Sequence, residues 1–296
     1  MALEAATFSI PTSSSSSSNE KVSEPQTTSK GAPQCSVTCV YQAKLADMYY
    51  IVSVTWCKNL TSHALSITVE NPPQENRYTC KIDLKAWQFW GKKGLKSFEI
   101  DGTRADIFWD FRQAKFTSAT EPCSDYYVAL VSNEEVVLLL GDLKKDAFKR
   151  ARSRPSLDEA TLLHKKESVY GKKMFSTRTM VGTDHKEHEI VIENSLSGPG
   201  DPEMNIRVDG AVAVRIMNLN WRFRGNETVM VNNVPLQIFW DVHDWLFSGP
   251  GSGQGLFIFK PGKLDGESNN SNPDERNCSD GIITEFSHFL YAWKTE

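Results

Sequence analysis

A chain of 296 residues with 40% hydrophobic and 24% charged residues has the composition of a soluble globular protein, and it is long enough to bury a core without disulfides or metals. The net charge of −4 excludes an overall positive field that would attract nucleic acid. No apolar run approaches the roughly 18 residues that a membrane-spanning helix needs. We therefore expect neither a nucleic-acid partner nor a membrane span.

Residues 1–33 are predicted to be a disordered, serine-rich leader. They include a run of six serines and few large apolar groups, so they cannot bury enough surface to offset the entropy lost on ordering. A plastid transit peptide is the weaker alternative, because the leader has no arginine and carries three glutamates. Six mostly scattered cysteines and no apolar secretory signal favour reduced thiols and a cytoplasmic or nuclear location.

Residues 34–140 are predicted to form a first β half. Apolar and polar residues alternate there with the period of two that is typical of strands. Asp101-Gly102 is a strong hairpin signal. Strands are predicted at 52–56, 65–69, 78–84, 97–100, 105–111, 126–131 and 136–140.

Residues 141–169 are predicted to be a basic helical connector with two short helices. The first covers 142–152. The second opens at Ser156, which resembles an N-cap because Glu159 follows three residues later.

Strands resume in a second β half, predicted at 170–296. Residues 261–281 within it are rich in asparagine and serine and are predicted to be a long mobile insertion. The predicted strands are 170–180, 189–193, 204–208, 211–221, 228–231, 236–242, 256–259 and 282–293.

An internal repeat is the most informative feature of the sequence. The tetrapeptide Ile-Phe-Trp-Asp occurs twice, with Trp109 and Trp240 lying 131 positions apart, and at the same displacement Gly94 meets Gly225. The period is too long for a propeller of about 40–45-residue repeats. We predict an all-β, antiparallel sandwich or large barrel built from two similar tandem halves, with short helices at the junction and both tryptophans buried at equivalent positions.

The repeated strand offers a structural and a functional interpretation. One face of each copy is apolar, and the other presents Phe108 and Asp110 in the first half and Phe239 and Asp241 in the second. The structural interpretation is a core tryptophan and a strand-end aspartate that accepts hydrogen bonds from turn amides. The functional interpretation is a ligand pocket lined by these four residues.

A second candidate site is the only concentrated basic patch, formed by Lys149, Arg150, Arg152 and Arg154. It is predicted to be an exposed surface for a protein partner or a nuclear-import signal, and the structural interpretation is a solvated helix face. Arg150 also stands three residues before Ser153, as in sites of basophilic kinases, where phosphate would neutralise the patch.

No cofactor, metal site or catalytic residue is predicted. His185 and His188 do not have the spacing of zinc-protease motifs, and residues three apart on a strand point to opposite faces, so a solvated turn is favoured. The alternating glycines at 249–255 lack the lysine and following helix of a phosphate loop. No serine, cysteine or threonine lies in a recognisable nucleophile motif.

Together with the two Ile-Phe-Trp-Asp strands, the segments at 53–60 and 148–152 give the chain a family resemblance. Over about residues 30–296 it resembles a plant protein family known as domain of unknown function 868. The resemblance implies a plant source, and it implies no activity, ligand or catalytic residue.

The sequence therefore favours a non-enzymatic interaction or regulatory protein whose partner binds the basic connector. The alternative is a carrier of a small hydrophobic ligand in an aromatic-lined β cavity. An enzyme is the least favoured class.

Overall fold

Strands dominate the protein. The computed structural model describes residues 35–60, 62–74, 76–85, 91–117, 119–182, 186–196, 200–249, 253–262 and 286–295. The predicted leader and nearly all of the predicted insertion at 261–281 lie outside these residues.

The first half consists of two four-stranded antiparallel meanders followed by a helix and two further strands. A short hairpin, β7 and β8, interrupts the second meander. All seven strands predicted for this half lie within strands of the structure or extend one of them by a residue. The elements are β1 (Cys35–Leu45), β2 (Met48–Lys58), β3 (Ser62–Asn71), β4 (Asn76–Lys85), β5 (Lys93–Ile100), β6 (Thr103–Asp110), β7 (Lys115–Phe116), β8 (Pro122–Ser124), β9 (Tyr127–Ser132), β10 (Glu135–Gly141), α1 (Lys144–Ala151), β11 (Arg154–Pro155) and β12 (Thr161–Gly171).

The second half again contains two four-stranded antiparallel meanders. A short helix separates the second and third strands of the latter. The elements are β13 (Met174–Met180), β14 (Glu187–Ser195), β15 (Glu203–Val208), β16 (Ala211–Ile216), β17 (Arg224–Val231), β18 (Val234–Asp241), α2 (His243–Phe247), β19 (Gln254–Pro261) and β20 (Ser287–Lys294).

Tight turns set the register of the equivalent hairpins β5–β6 and β17–β18. Asp101 and Gly102 have φ values of 50° and 75°, and Asn232 and Asn233 have φ values of 50° and 67°. Two successive residues in the left-handed region are what a type I′ turn requires, and its twist matches that of paired strands. The Asp-Gly pair was recognised in the sequence, whereas the Asn-Asn pair was not.

Strand β12 joins the two halves into one large sheet of nine strands. It pairs antiparallel with β1 on one side and parallel with β20 on the other. The order of the large sheet is β17-β18-β19-β20-β12-β1-β2-β3-β4. Two small sheets, with the orders β11-β10-β9-β6-β5 and β13-β14-β15-β16, and the two-stranded β7-β8 sheet complete the fold of the described residues.

Each small sheet packs on one end of the large sheet and encloses a separate apolar core. In the first core, Val54 and Trp56 of the large sheet meet Ile107 of the first small sheet, all at most 2% exposed. In the second, Phe257 meets Ile190, both 0% exposed. Alternating side chains fill these cores because the other face of each strand is directed outward. The all-β sandwich prediction is confirmed and the barrel alternative is not, since the sheets of the described residues do not close.

A seam of charged side chains lies between the two cores. The side chains of Lys165 and Glu167 on β12 are each 12% exposed and stand 3.4 Å apart. In the register of the large sheet, Lys165 is opposite Cys39 of β1 on one side and His288 of β20 on the other. His288 Nε2 donates to Glu167 Oε2 over 3.2 Å, and the Thr177 hydroxyl donates to the same oxygen. The seam thus ties strands of both halves together through one carboxylate.

The structure corrects the predicted connector. Its first helix is present as α1, but the second helix, predicted from Ser156, is wrong because this region leads into strand β12. Lys165 and Glu167 occupy inward positions that an ordinary strand gives to apolar residues. The period-two pattern of a strand is therefore hidden in this segment, and Ser156 resembles a helix N-cap without beginning a helix.

Candidate functional site

The two Ile-Phe-Trp-Asp strands, β6 and β18, share the same pairing of tryptophan with glycine on one side. Gly94 of β5 is opposite Trp109, and Gly225 of β17 is opposite Trp240. A Cβ atom on either glycine would lie 2.3 Å or 2.4 Å from the Cζ2 atom of the facing indole. Each indole therefore covers the facing glycine, where any larger residue would clash with the ring.

Both indoles also make the same hydrogen bond. Trp109 Nε1 donates to the Gly91 carbonyl over 2.8 Å, and Trp240 Nε1 donates to the Arg222 carbonyl over 2.9 Å. Trp240 is 4% exposed, but Trp109 is only partly buried. The predicted equivalence thus holds for the local geometry, full burial holds for one tryptophan only, and duplication of the whole halves stays a prediction.

Asp110 ends strand β6 at the centre of an ionic cluster. Its Oδ2 atom lies 2.8 Å from Arg112 Nη2 and 3.3 Å from Lys93 Nζ, and its Oδ1 atom accepts the Arg112 backbone N–H. Burial alone would raise the pKa of Asp110, but hydrogen bonds from Arg112 and Lys93 lower it. The carboxylate is therefore ionised at neutral pH and acts as an anchor for two cations.

Asp241 repeats this arrangement at the end of β18. It accepts the backbone N–H of His243 over 3.1 Å and pairs with Arg224 Nε at 2.7 Å. Both aspartates thus accept a hydrogen bond from the amide two residues further on, as the structural interpretation predicted. The two carboxylates lie in different sheets, Asp110 in the first small sheet and Asp241 in the large sheet.

The aromatic members of the predicted pocket have different surroundings. Phe108 is 8% exposed and packs beneath α1, against the fully buried Ala147. Phe239 is partly exposed, and Lys260 Nζ lies 5.9 Å from its ring centroid. The structure therefore brings Phe108 close to Asp110 and Phe239 close to Asp241, but on separate sheets. Ligand binding by either pair stays a prediction.

Helix α1 instead forms a cleft with the end of β6. The cavity has a volume of about 430 Å³. We call it the α1 cleft and define it by Lys93, Asp110, Arg112, Tyr127, Lys149 and Arg150. Members of both candidate sites meet here, because Asp110 comes from the repeated strand and Lys149 and Arg150 come from the basic patch.

The sequence of α1 explains how it presents its charges. Leu143, Ala147 and Ala151 are spaced by four residues and pack on the outer face of the first small sheet. Lys149 and Arg150 lie in the last helical turn, where the negative end of the helix dipole favours cations. Both side chains are exposed, and neither has an ion-pair partner among the described residues.

The negative groups in the cleft only partly offset its cations. Asp110 is paired within the cleft, and Asp125 lies 3.0 Å from Lys115 outside it. Asp146 of α1 remains as an exposed carboxylate. Tyr127 is 2% exposed, and its hydroxyl has no hydrogen-bond partner among the described residues. The cleft therefore offers two unpaired cations and a phenolic donor, which together suit a carboxylate or a phosphate.

The other two members of the predicted basic patch lie outside the cleft. Arg152 ends α1 in the left-handed conformation, and its N–H donates to the Phe148 carbonyl over 2.9 Å. Arg154 lies on β11, and its guanidinium contacts Glu135 Oε1 at 2.6 Å. The predicted patch is therefore divided between two cleft residues, an exposed arginine and an ion-paired arginine.

Comparison with known protein families shows to which family the chain belongs. A model of a family described as plant proteins of unknown function (DUF868) matches residues 32–294. The chain belongs to this family. The matched range includes the whole α1 cleft and both Ile-Phe-Trp-Asp strands. No curated protein and no solved structure matches the chain.

Neither α1 nor α2, the helices of the described residues, has the length and apolar composition needed to cross a bilayer. The short α1 is instead an amphipathic element that belongs to the first half of the fold.

Three cleft residues, Arg112, Lys93 and Tyr127, were not among the candidate site residues predicted from the sequence. Arg112 follows Asp110 by two positions. An aspartate at the end of a strand often accepts the backbone N–H of the residue two positions later, so this spacing is a recognisable signal. Lys93 reaches the site only through the hairpin register, in which it is opposite Asp110. Tyr127 gave no signal, because a tyrosine at the start of an apolar strand resembles any core residue.

Proposed function

We propose that this family member is a non-enzymatic interaction protein that binds an acidic segment of a partner protein in the α1 cleft. The observation that carries the proposal is the pair of exposed cations, Lys149 and Arg150, beside a cavity that already holds Lys93 and Arg112. The chain is net negative, at −4, so this concentration of positive charge is local. Such a patch steers acidic segments and fixes their register.

The size of the cleft leaves room for acidic side chains of a peptide segment. A volume of about 430 Å³ lies within the range of pockets that take a small molecule or a few side chains. A glutamate or aspartate side chain entering it would meet Lys149 and Arg150 at the rim and the Tyr127 hydroxyl further in. Charge-assisted hydrogen bonds of this kind are stronger than neutral ones.

The state of Asp110 supports binding over catalysis. A carboxylate with a lowered pKa is a weak general base at neutral pH, and this one is already engaged by Arg112 and Lys93. We propose a cytoplasmic or nuclear location on separate grounds. The five cysteines in the described part of the chain are free thiols, which suits a reducing compartment.

A charge-reversal experiment with a matched control tests the proposal. The variant Lys149→Glu with Arg150→Glu and the control Lys144→Glu with Lys145→Glu carry the same charge change on the same exposed helix. The probe is a fluorescent oligo-glutamate peptide, with binding measured by anisotropy at several salt concentrations. We expect the cleft variant to bind at least about tenfold more weakly, since each lost ion pair is replaced by repulsion.

The control should remain within about threefold of wild type, and added salt should weaken wild-type binding. Thermal unfolding should be nearly unchanged in both variants, because exposed charge substitutions usually alter stability by less than about 0.5 kcal/mol. Equal losses of affinity in the two variants would show that binding depends on net charge alone, and would contradict specific binding in the α1 cleft. A wild-type chain that does not bind the peptide would exclude the function.

A further inference from the structure

Ser153 lies three residues after Arg150 of the α1 cleft, in the short link between helix α1 and strand β11. Helix α1 ends at Ala151, Arg152 turns the chain through the left-handed region, and β11 begins at Arg154. Ser153 is partly exposed, and its hydroxyl donates to the Ala151 carbonyl over 3.1 Å. That single neutral hydrogen bond to the carbonyl of the last helical residue contributes little net stability, so the hydroxyl can be released from it.

The surroundings of Ser153 are rich in arginine. Arg150 precedes it by three residues, Arg152 by one, and Arg154 follows it. Kinases that select basic substrates bind such a sequence in an extended conformation. Ser153 is already outside the helix, and Arg154 and Pro155 after it form β11, the edge strand of the first small sheet. Only the last turn of α1 has to open for Arg150 to be read, and helix ends open at low cost.

A phosphate on Ser153 would act on the charges that the cleft uses. It carries about −1.5 to −2 charges and three strong acceptor oxygens. Since the C-terminal end of a helix disfavours negative charge, the phosphate would be drawn to the guanidinium groups of Arg150 and Arg152. Arg150 would then be paired outside the cleft, and Lys149 next to it would be partly screened.

We propose that Ser153 is a phosphorylation site and that its phosphorylation releases the acidic ligand from the α1 cleft. The regulatory part rests on the proposed function. In the modification, the Ser153 Oγ–P bond forms as the bond between the γ-phosphorus of ATP and the bridging oxygen of ADP breaks. The hydroxyl proton passes to the catalytic base of the kinase.

The test uses the full-length folded chain, a basophilic serine kinase and ATP. Intact-mass measurement should find one phosphate on wild type and peptide mapping should place it at Ser153. The variant Ser153→Ala should receive none there. Ser156→Ala is the matched control, because Ser156 lies on the same segment but its hydroxyl bonds Glu135 over 3.0 Å. This control should be phosphorylated like wild type.

Binding of the oligo-glutamate peptide is then compared before and after phosphorylation. We expect at least about fivefold weaker binding for phosphorylated wild type, no change for kinase-treated Ser153→Ala, and wild-type affinity for unmodified Ser153→Ala. Failure of the kinase to modify Ser153 in the folded chain would overturn the modification site while leaving the cleft function intact.

Phosphorylation at Ser153 without a change in affinity would overturn the regulatory role. A lack of peptide binding by the unmodified wild type would overturn the cleft function and the regulation built on it, while the mass measurement would still decide whether Ser153 is a kinase site.

Discussion

Replacing Glu167 by glutamine is expected to destabilise the fold by about 3 kcal/mol at neutral pH. The carboxylate lies 3.4 Å from Lys165 Nζ, and both side chains are 12% exposed. The substitution leaves the Lys165 ammonium buried without the carboxylate beside it. Breaking a buried ion pair from one side generally costs about 3–5 kcal/mol.

The lowered pKa of Glu167 gives a second value for the stability that its ionised carboxylate contributes. Burial alone would raise this pKa, but the hydrogen bond from His288 and the charge of Lys165 lower it from 4.5 to about 2. Each pKa unit corresponds to about 1.4 kcal/mol, so the ionised group contributes on the order of 3 kcal/mol. Because the folded-state pKa is the lower one, this contribution is complete above about pH 4.5 and is lost as the pH falls towards 2.

Urea unfolding followed by tryptophan fluorescence, at neutral pH and at a series of acid pH values, measures this effect. The matched control is Glu193→Gln, which removes a partly exposed ion pair with Arg207 at 3.1 Å and should cost less than about 1 kcal/mol. The deficit of Glu167→Gln relative to wild type should shrink as the pH falls through the acid range. A deficit equal to that of Glu193→Gln, or one independent of pH, would refute the reasoning.

Three further outcomes are expected. Trp240→Ala should destabilise the protein by about 3–5 kcal/mol in urea unfolding, because it empties a 4% exposed indole site in the second core. Gly225→Ala should cost about 1–3 kcal/mol, since its Cβ would lie 2.4 Å from the Trp240 ring, whereas Gly200→Ala, with no atom within 4 Å, should be near neutral. Iodoacetamide at mildly alkaline pH should label the exposed Cys123 in the native protein and leave Cys39 unmodified, because burial raises the pKa of Cys39 to about 12; mass mapping decides it.

Strands with one buried face were predictable from the sequence. Val52, Val54 and Trp56 are at most 2% exposed and alternate with outward residues, so their pattern alone identifies β2. The same argument fails for β12, where Lys165 and Glu167 take the inward positions. A buried ionic pair has the sequence pattern of a solvated face, and only the neighbouring strands reveal that it is enclosed.

The candidate site was predictable in its parts but not as a whole. Asp110 and the basic residues Lys149 and Arg150 were singled out separately, because each stands out in its own segment. Their meeting depends on α1 packing against Phe108 across the outer face of a sheet. Such a contact between segments about 40 positions apart leaves no periodic pattern in the sequence from which it could be predicted.

The position of β20 in the large sheet has a consequence for the order of folding. It fills the gap between β12 and β19, so the first core can be completed with β12 as a temporary edge while residues up to Ser287 are still being made. Until then two unprotected strand edges are available for pairing with other chains. A chain cut before Ser287 should therefore aggregate even though the first core is intact, and measuring the soluble fraction of such a fragment would test this.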